Sequence, residues 1–148
     1  MKKVIKLTES QLEIIKKRVV EQEEDETPSS DMGTLASHLL FSQTQAHIFH
    51  LQTDSYAEHK ALQGFYEGID GLADSLIESY QGQNGIIDNY TTFKVQKYQG
   101  KEMVIGYFEE LLGIVEDNRE GLPSHLQNIV DTIVELITST LYKLKHLK

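Results

Sequence analysis

Residues 39–82, LLFSQTQAHIFHLQTDSYAEHKALQGFYEGIDGLADSLIESYQG, carry the pattern on which the rest of the chain depends. No proline interrupts residues 55–80, and apolar residues recur at Leu62, Phe65/Tyr66, Ile69, Leu72/Ala73 and Leu76/Ile77. That spacing predicts one long amphipathic helix. Upstream, Leu35, Leu39, Phe41/Ser42, Ala46 and Phe49/His50 repeat the period and predict a helix over 29–53, capped by Ser30 or Asp31. Between the two, Leu51-Gln-Thr-Asp-Ser55 breaks the pattern and offers Thr53, Asp54 or Ser55 as the next cap.

Within this stretch His47, His59, Asp74 and Glu78 stand at the spacing H-x11-H-x14-D-x3-E. Imidazole and carboxylate together suit a transition metal such as iron. Asp74 and Glu78, four apart, share one helix face. His59 precedes Asp74 by fifteen residues, roughly 22 Å at about 1.5 Å per residue, too far for one metal centre. Two chains packed antiparallel across a two-fold axis would bring the histidine end of one helix to the carboxylate end of the other. A shared centre therefore requires a dimer. Taken alone, His47 has an ordinary use, because imidazolium complements the negative end of a helix dipole.

Gln45-Ala46-His47, His59, Gly64-Phe65, Asp74 and Glu78 together resemble the core of a Dps-like miniferritin, in the ferritin-like superfamily. The likeness covers about residues 33–148, with its specific residues confined to 45–82. It implies a ferritin-like four-helix bundle, a twelve-chain hollow shell, and ferroxidase centres shared between two-fold-related chains. Histidines would come from one chain and the Asp/Glu pair from its neighbour. The chain departs from the family twice: Gln63 stands where a carboxylate is common, and Ile48 where a tryptophan is frequent. An amide oxygen is a neutral and weaker ligand, which bears on iron affinity and on the second metal position.

Composition narrows the classes. A length of 148 residues is one domain with room for a sizeable core. The chain has no cysteine, which excludes disulfides, thiolate metal sites and cysteine nucleophiles. A formal net charge of −9 argues against a DNA-coating surface and agrees better with drawing cations to acidic pores or a cavity. No stretch is long and apolar enough to span a membrane. The opening MKKVIKL lacks the apolar run of a signal peptide, so a cytoplasmic location is expected, or packaging in a phage particle.

Residues 1–28 read as a separate leader. Thr8 and Gln11 form a capping box, and Leu12, Ile15 and Val19 predict an amphipathic helix over about 8–21. Six of the fourteen basic residues lie here, and the acidic run 21–26 with Thr27-Pro28-Ser29-Ser30 reads as a solvated linker. The form KLTESQLEIIKKRVVEQ resembles leaders on structural proteins of tailed phages. It suggests either an extra helix packed on the shell or a detachable address for a capsid or other docking partner, dispensable for folding and assembly.

Residues 81–98 contain Gly82 and Asn84-Gly85 and lack helical period, as a long crossover between parallel second and third helices requires. An extended piece or short helix at Ile86-Ile87 is expected to pack on a neighbour. Residues 100–118 predict the third bundle helix, with Met103, Tyr107, Leu111, Ile114 and Val115 inward. Gly121 and Pro123 make the turn into the fourth, lined by Leu126, Ile129, Ile133, Leu136/Ile137, Leu141 and Leu144. Its basic end, Lys143 to Lys148, suits a helix C-terminus. The P-loop, nucleophile-elbow and HExxH motifs are absent from the sequence.

The expected architecture is thus all-α: an N-terminal amphipathic helix and linker (1–28) followed by a ferritin-like four-helix bundle with one long crossover (29–148). The expected activity is ferroxidase, oxidation of Fe(II) by peroxide or oxygen, with ferric oxide stored in the shell of a homo-oligomer, a dimer at least and a dodecamer by resemblance. His47, His59, Asp74 and Glu78 would hold a di-iron pair, for which zinc could stand in, with Gln63 a weak ligand or water anchor. His50 is a candidate partner behind the ligands, and Glu67 and Asp70 could line a cavity. Glu58 is assigned to a wet acidic face, and His38, His125 and His146 to no site. Two other readings remain. One is a non-catalytic ferritin-like structural or cargo module, for example virion-associated, with a degenerate site. The other is an isolated bundle that binds a partner protein.

Overall fold

The computed structural model describes residues 8–24 and 31–148, with side chains through Arg18 in the first segment. Among these residues are five α-helices and no strand: α1 (Glu9–Glu24), α2 (Met32–Gln52), α3 (Tyr56–Asn84), α4 (Lys101–Asp117) and α5 (Ser124–His146). The chain is all-α, as its periodicity predicts. Residues 1–7, the Thr27-Pro28-Ser29-Ser30 linker and the Ser30 cap lie outside the described residues.

The predicted capping box starts α1: the Gln11 N–H donates to Thr8 Oγ1 (3.3 Å) and the Thr8 N–H to Gln11 Oε1 (3.0 Å). The helix then runs through Glu24, absorbing residues that the sequence assigned to the linker. Glutamate is a good helix former, so an acidic run by itself does not stop a helix. Residues 8–18 are exposed, including Leu12, Ile14 and Ile15.

Asp31 caps α2, its Oδ1 accepting the Gly33 N–H (3.1 Å), and Ser55 caps α3, its Oγ accepting the Glu58 N–H (3.3 Å). The three-residue corner between them folds α3 back along α2. Around one core, α2 packs on α3, α3 on α5, α5 on α4, and α4 on α2. Phe49, Phe65, Phe108, Leu62, Ile133 and Ile137 are among its fully buried side chains. Burying each contributes about 1.5–3 kcal/mol, which outweighs the few tenths separating ordinary helix propensities.

In α4 the buried stripe is Val104, Ile105, Phe108, Leu111 and Val115, whereas Met103, Tyr107 and Ile114 flank it half-buried. The sequence put those flanking residues at the centre of the face. Tyr107 and Ile114 line a cavity with Phe93, Lys94 and Gln96 of the connection, which places them at the margin of the core.

That connection leaves α3 through Gly85 (φ +86°) and enters α4 at Gly100 (φ +112°), conformations that a side chain would strain. Between them it has no regular secondary structure and runs the length of α2. Asn89 Nδ2 donates to Asp31 Oδ1 (2.7 Å) at the start of α2, and the Thr91 N–H to Ser37 Oγ (2.9 Å). The Gln96 N–H donates to Gln45 Oε1 (2.7 Å), and the Tyr98 N–H to Gln52 Oε1 (2.9 Å) at the end of α2. Consequently α3 and α4 both begin at the same end of α2 and run parallel to each other. Ile87 is buried within the chain, while Ile86 is 81% exposed and neither is helical.

Where the connection ends, Tyr98 Oη and Thr53 Oγ1 both donate to Glu58 Oε2 (2.8 and 2.7 Å). Glu58 is therefore buried, not part of the wet acidic face expected for it. Two hydroxyl donors and the first turn of α3 supply what water would have. Among the described residues no helix is long and apolar enough to cross a membrane.

Candidate metal centre

The corner between α2 and α3 gathers three histidines. His50 lies in the last turn of α2 and His59 in the first turn of α3, and their rings stack at 3.6 Å and 21°. Each Nδ1 meets the other residue's backbone carbonyl: His50 Nδ1 to His59 O at 2.8 Å, and His59 Nδ1 to His50 O at 3.0 Å. A carbonyl only accepts, so both Nδ1 atoms carry the proton. In the neutral rings Nε2 then keeps the lone pair, the tautomer a metal requires.

His47, one turn before His50, is exposed and stacks on Tyr66 at 4.2 Å and 20°. Tyr66 also meets the His50 ring edge-on at 5.1 Å, and the two α2 rings lie 5.7 Å apart. His50 is buried and His59 half-buried. Periodicity marked His47 and His59 and gave His50 a supporting part. Tyr66 was read only as an inward helix position. A short corner between two capped helices was the available signal that residues 50 and 59 would meet.

The carboxylates lie further along α3. Gln63, Glu67, Asp70, Asp74 and Glu78 recur at steps of four, three, four and four, which places them on one face. Gln63 Nε2 donates to Glu67 Oε1 (2.8 Å), while Gln63 Oε1 accepts from Lys60 Nζ (2.9 Å). The amide expected as a weak ligand is thus engaged on both sides, and Glu67 touches it despite the intervening turn. Asp70, Asp74 and Glu78 are exposed and, among the described residues, have no hydrogen-bonding or ion-pair partner.

Because α3 is one unbroken helix over 56–84, His59 and Asp74 stay on separate turns, about 22 Å apart by helix rise. Among the described residues no three His, Asp or Glu side chains of one chain gather where a cation could sit. The imidazoles and the free carboxylates therefore lie apart, on different turns of α2 and α3. Beside them, Leu40 (42% exposed), Leu51 (71%) and Tyr56 (77%) leave apolar surface uncovered.

A family model described as a family of unknown function (DUF5856) matches residues 50–144, more than half of the chain. The curated proteins and the solved structures contain no match.

Proposed function

We propose that this chain, which belongs to the DUF5856 family, is a ferritin-like oxidase of ferrous iron whose centres form between two copies. The observation that carries this reading is the reciprocal Nδ1 anchoring of His50 and His59, which commits His59 to the tautomer with a free Nε2. Support also comes from the parallel α3 and α4 and from the connection laid along α2. A ferritin-like four-helix bundle with one crossover would have such a chain path. On this reading the exposed face of α2 and α3 pairs with its copy, through Leu40 and Leu51 among others. Asp74 and Glu78, which have no partner among the described residues of their own chain, then approach His47 and His59 of the other.

The donor set fits iron as substrate: neutral imidazole nitrogens and hard carboxylate oxygens. His59 supplies an oriented nitrogen, His47 a second, and Glu78 and Asp74 the negative charge that holds Fe(II) and favours Fe(III) more. Two Fe(II) give up two electrons to one hydrogen peroxide. With two protons its O–O bond breaks to give two waters and two Fe(III). Taking both electrons at adjacent sites limits escape of hydroxyl radical. Ferric oxide would then collect in the enclosed space of a twelve-chain shell.

A specific observation favours a second reading, a non-catalytic ferritin-like structural or cargo module. Lys60 already places an ammonium on the Gln63 oxygen, so a cation is supplied where the family would use a metal. One experiment separates the two. The purified chain is sized in solution, loaded anaerobically with Fe(II), and then given peroxide. The oxidase reading expects an assembly far above 16.9 kDa that oxidises iron faster than buffer, with the rate lost in His47→Ala and Glu78→Ala. An assembly that oxidises iron no faster than buffer supports the cargo module. A parent that oxidises iron but whose variants keep its rate removes these residues from the site.

A further inference from the structure

The geometry points to a second site, away from the histidine corner: a cavity between α2, the connection and α4 that takes a flat, uncharged heteroaromatic ring of the nucleobase class. It encloses about 310 Å³, at the small end of ligand pockets (~300–1,000 Å³). His38 and Phe41 line it from α2, Phe93 and Lys94 from the connection, and Tyr107 and Glu110 from α4. The Phe93 ring lies 4.3 Å from that of His38 and 5.3 Å from that of Phe41, both tilted by less than 40°. The wall is therefore a packed aromatic cluster, whose remaining ring surface attracts a planar partner by dispersion and by its quadrupoles.

Polar groups at the rim set what that partner carries. Among the described residues the His38 ring, the Lys94 ammonium, the Tyr107 hydroxyl and the Glu110 carboxylate have no hydrogen bond or ion pair. His38 and Tyr107 are half-buried and Lys94 and Glu110 exposed, so all four can exchange water for a bound partner at this one concavity. Burial holds the His38 imidazole below its ordinary range, against the opposing pull of Glu110, so near neutral pH it offers one donor and one acceptor. Burial, aided by Glu110, pushes the Tyr107 phenol well up, so it remains a hydroxyl. Lys94 and Glu110 cancel in charge. A phosphate would meet one ammonium opposed by a carboxylate, which disfavours a nucleotide. An uncharged base has what the rim lacks: an amino group for Glu110, and ring nitrogens or a carbonyl for Lys94 and His38.

Adenine is the probe, in equilibrium dialysis against the full chain, with adenosine monophosphate as the anionic comparison. The expected result is saturable adenine binding with Kd on the order of 1 mM or tighter. It should weaken about tenfold in Glu110→Ala and in Phe93→Ala, and about tenfold for the monophosphate against the parent. Glu110 is exposed on its helix, so its variant keeps the test valid if Phe93→Ala fails to fold. The site is overturned by any of three results: no saturable binding up to about 10 mM, Glu110→Ala binding like the parent, or the monophosphate binding as tightly as the base.

Discussion

Replacing Gln45 with methionine tests how the connection is held to α2. Gln45 is fully buried, and its amide pairs with one backbone unit of the connection in both directions. Its Nε2 donates to Gln96 O at 2.9 Å, and the Gln96 N–H donates to its Oε1 at 2.7 Å. Methionine has similar length and makes neither bond. Each bond contributes a net ~0.5–1.5 kcal/mol, so losing two costs about 1–3 kcal/mol. Gln96 is exposed, so its freed backbone groups regain water, and the buried thioether recovers some apolar contact. Both effects place the result in the lower half, about 1–2 kcal/mol. With a urea slope of ~1–3 kcal/mol/M, the unfolding midpoint falls by about 0.3–2 M with unchanged slope. Parent and variant are compared at one protein concentration, because an oligomer's stability depends on it. Hydrogen exchange at the Gln96 amide should accelerate in parallel. The glutamate variant adds a sign test: it keeps the acceptor but faces the Gln96 carbonyl with a second oxygen. The folded state then prefers the protonated carboxyl, whose O–H can donate, so the penalty grows as pH rises above about 4.3. An unchanged midpoint and unchanged Gln96 exchange in Gln45→Met would refute this account of the crossover.

Two further outcomes follow from local geometry. Gly71 sits mid-way along α3 with nothing within 4 Å of an added Cβ, so Gly71→Ala should stabilise by about 0.5–1 kcal/mol in a thermal melt; destabilisation would mean that something outside the chain covers this position. Hydrogen bonds from Thr34, then from Asn89, hold the Asp31 carboxyl below its ordinary 3.8, so its capping contribution is complete above that pH and fades as pH falls through the lower folded value. Asp31→Ala should therefore cost about 0.5–2 kcal/mol at neutral pH, and melts repeated at acid pH should show the difference shrinking; a constant difference would remove the carboxylate from the cap.

Helix existence was legible because it depends on local pattern. The period at Leu62, Phe65, Ile69 and Leu76, the Thr8–Gln11 box and the Asp31 and Ser55 caps each involve residues within a turn or two. What escaped the reading depends on the connection, whose backbone has no period to read. Tyr98 returning onto the start of α3 makes Glu58 a buried acceptor. Phe93 folding over α2 converts His38 from a residue without a partner into a cavity wall. The same segment lines a cavity with Tyr107, which sits at the margin of the core while Phe108 occupies it. The first two of these contacts join residues forty or more positions apart, where spacing carries no information.

The resemblance and the physical reading assign different work to Gln45, and the difference bears on the candidate site. As part of Gln45-Ala46-His47 it serves as a marker of an iron-oxidising family; in the fold it clamps the connection to α2, a task that any bundle with this crossover needs. Part of the motif thus speaks to chain path and not to chemistry. The histidine pair does both kinds of work: His50 and His59 tie the corner to each other through Nδ1, and each keeps its Nε2 free. On the proposed reading the functional weight falls on His47 and His59 together with Asp74 and Glu78, whose carboxylates have no partner among the described residues. On that reading a second copy, turned end for end, brings the imidazoles and the carboxylates to one use.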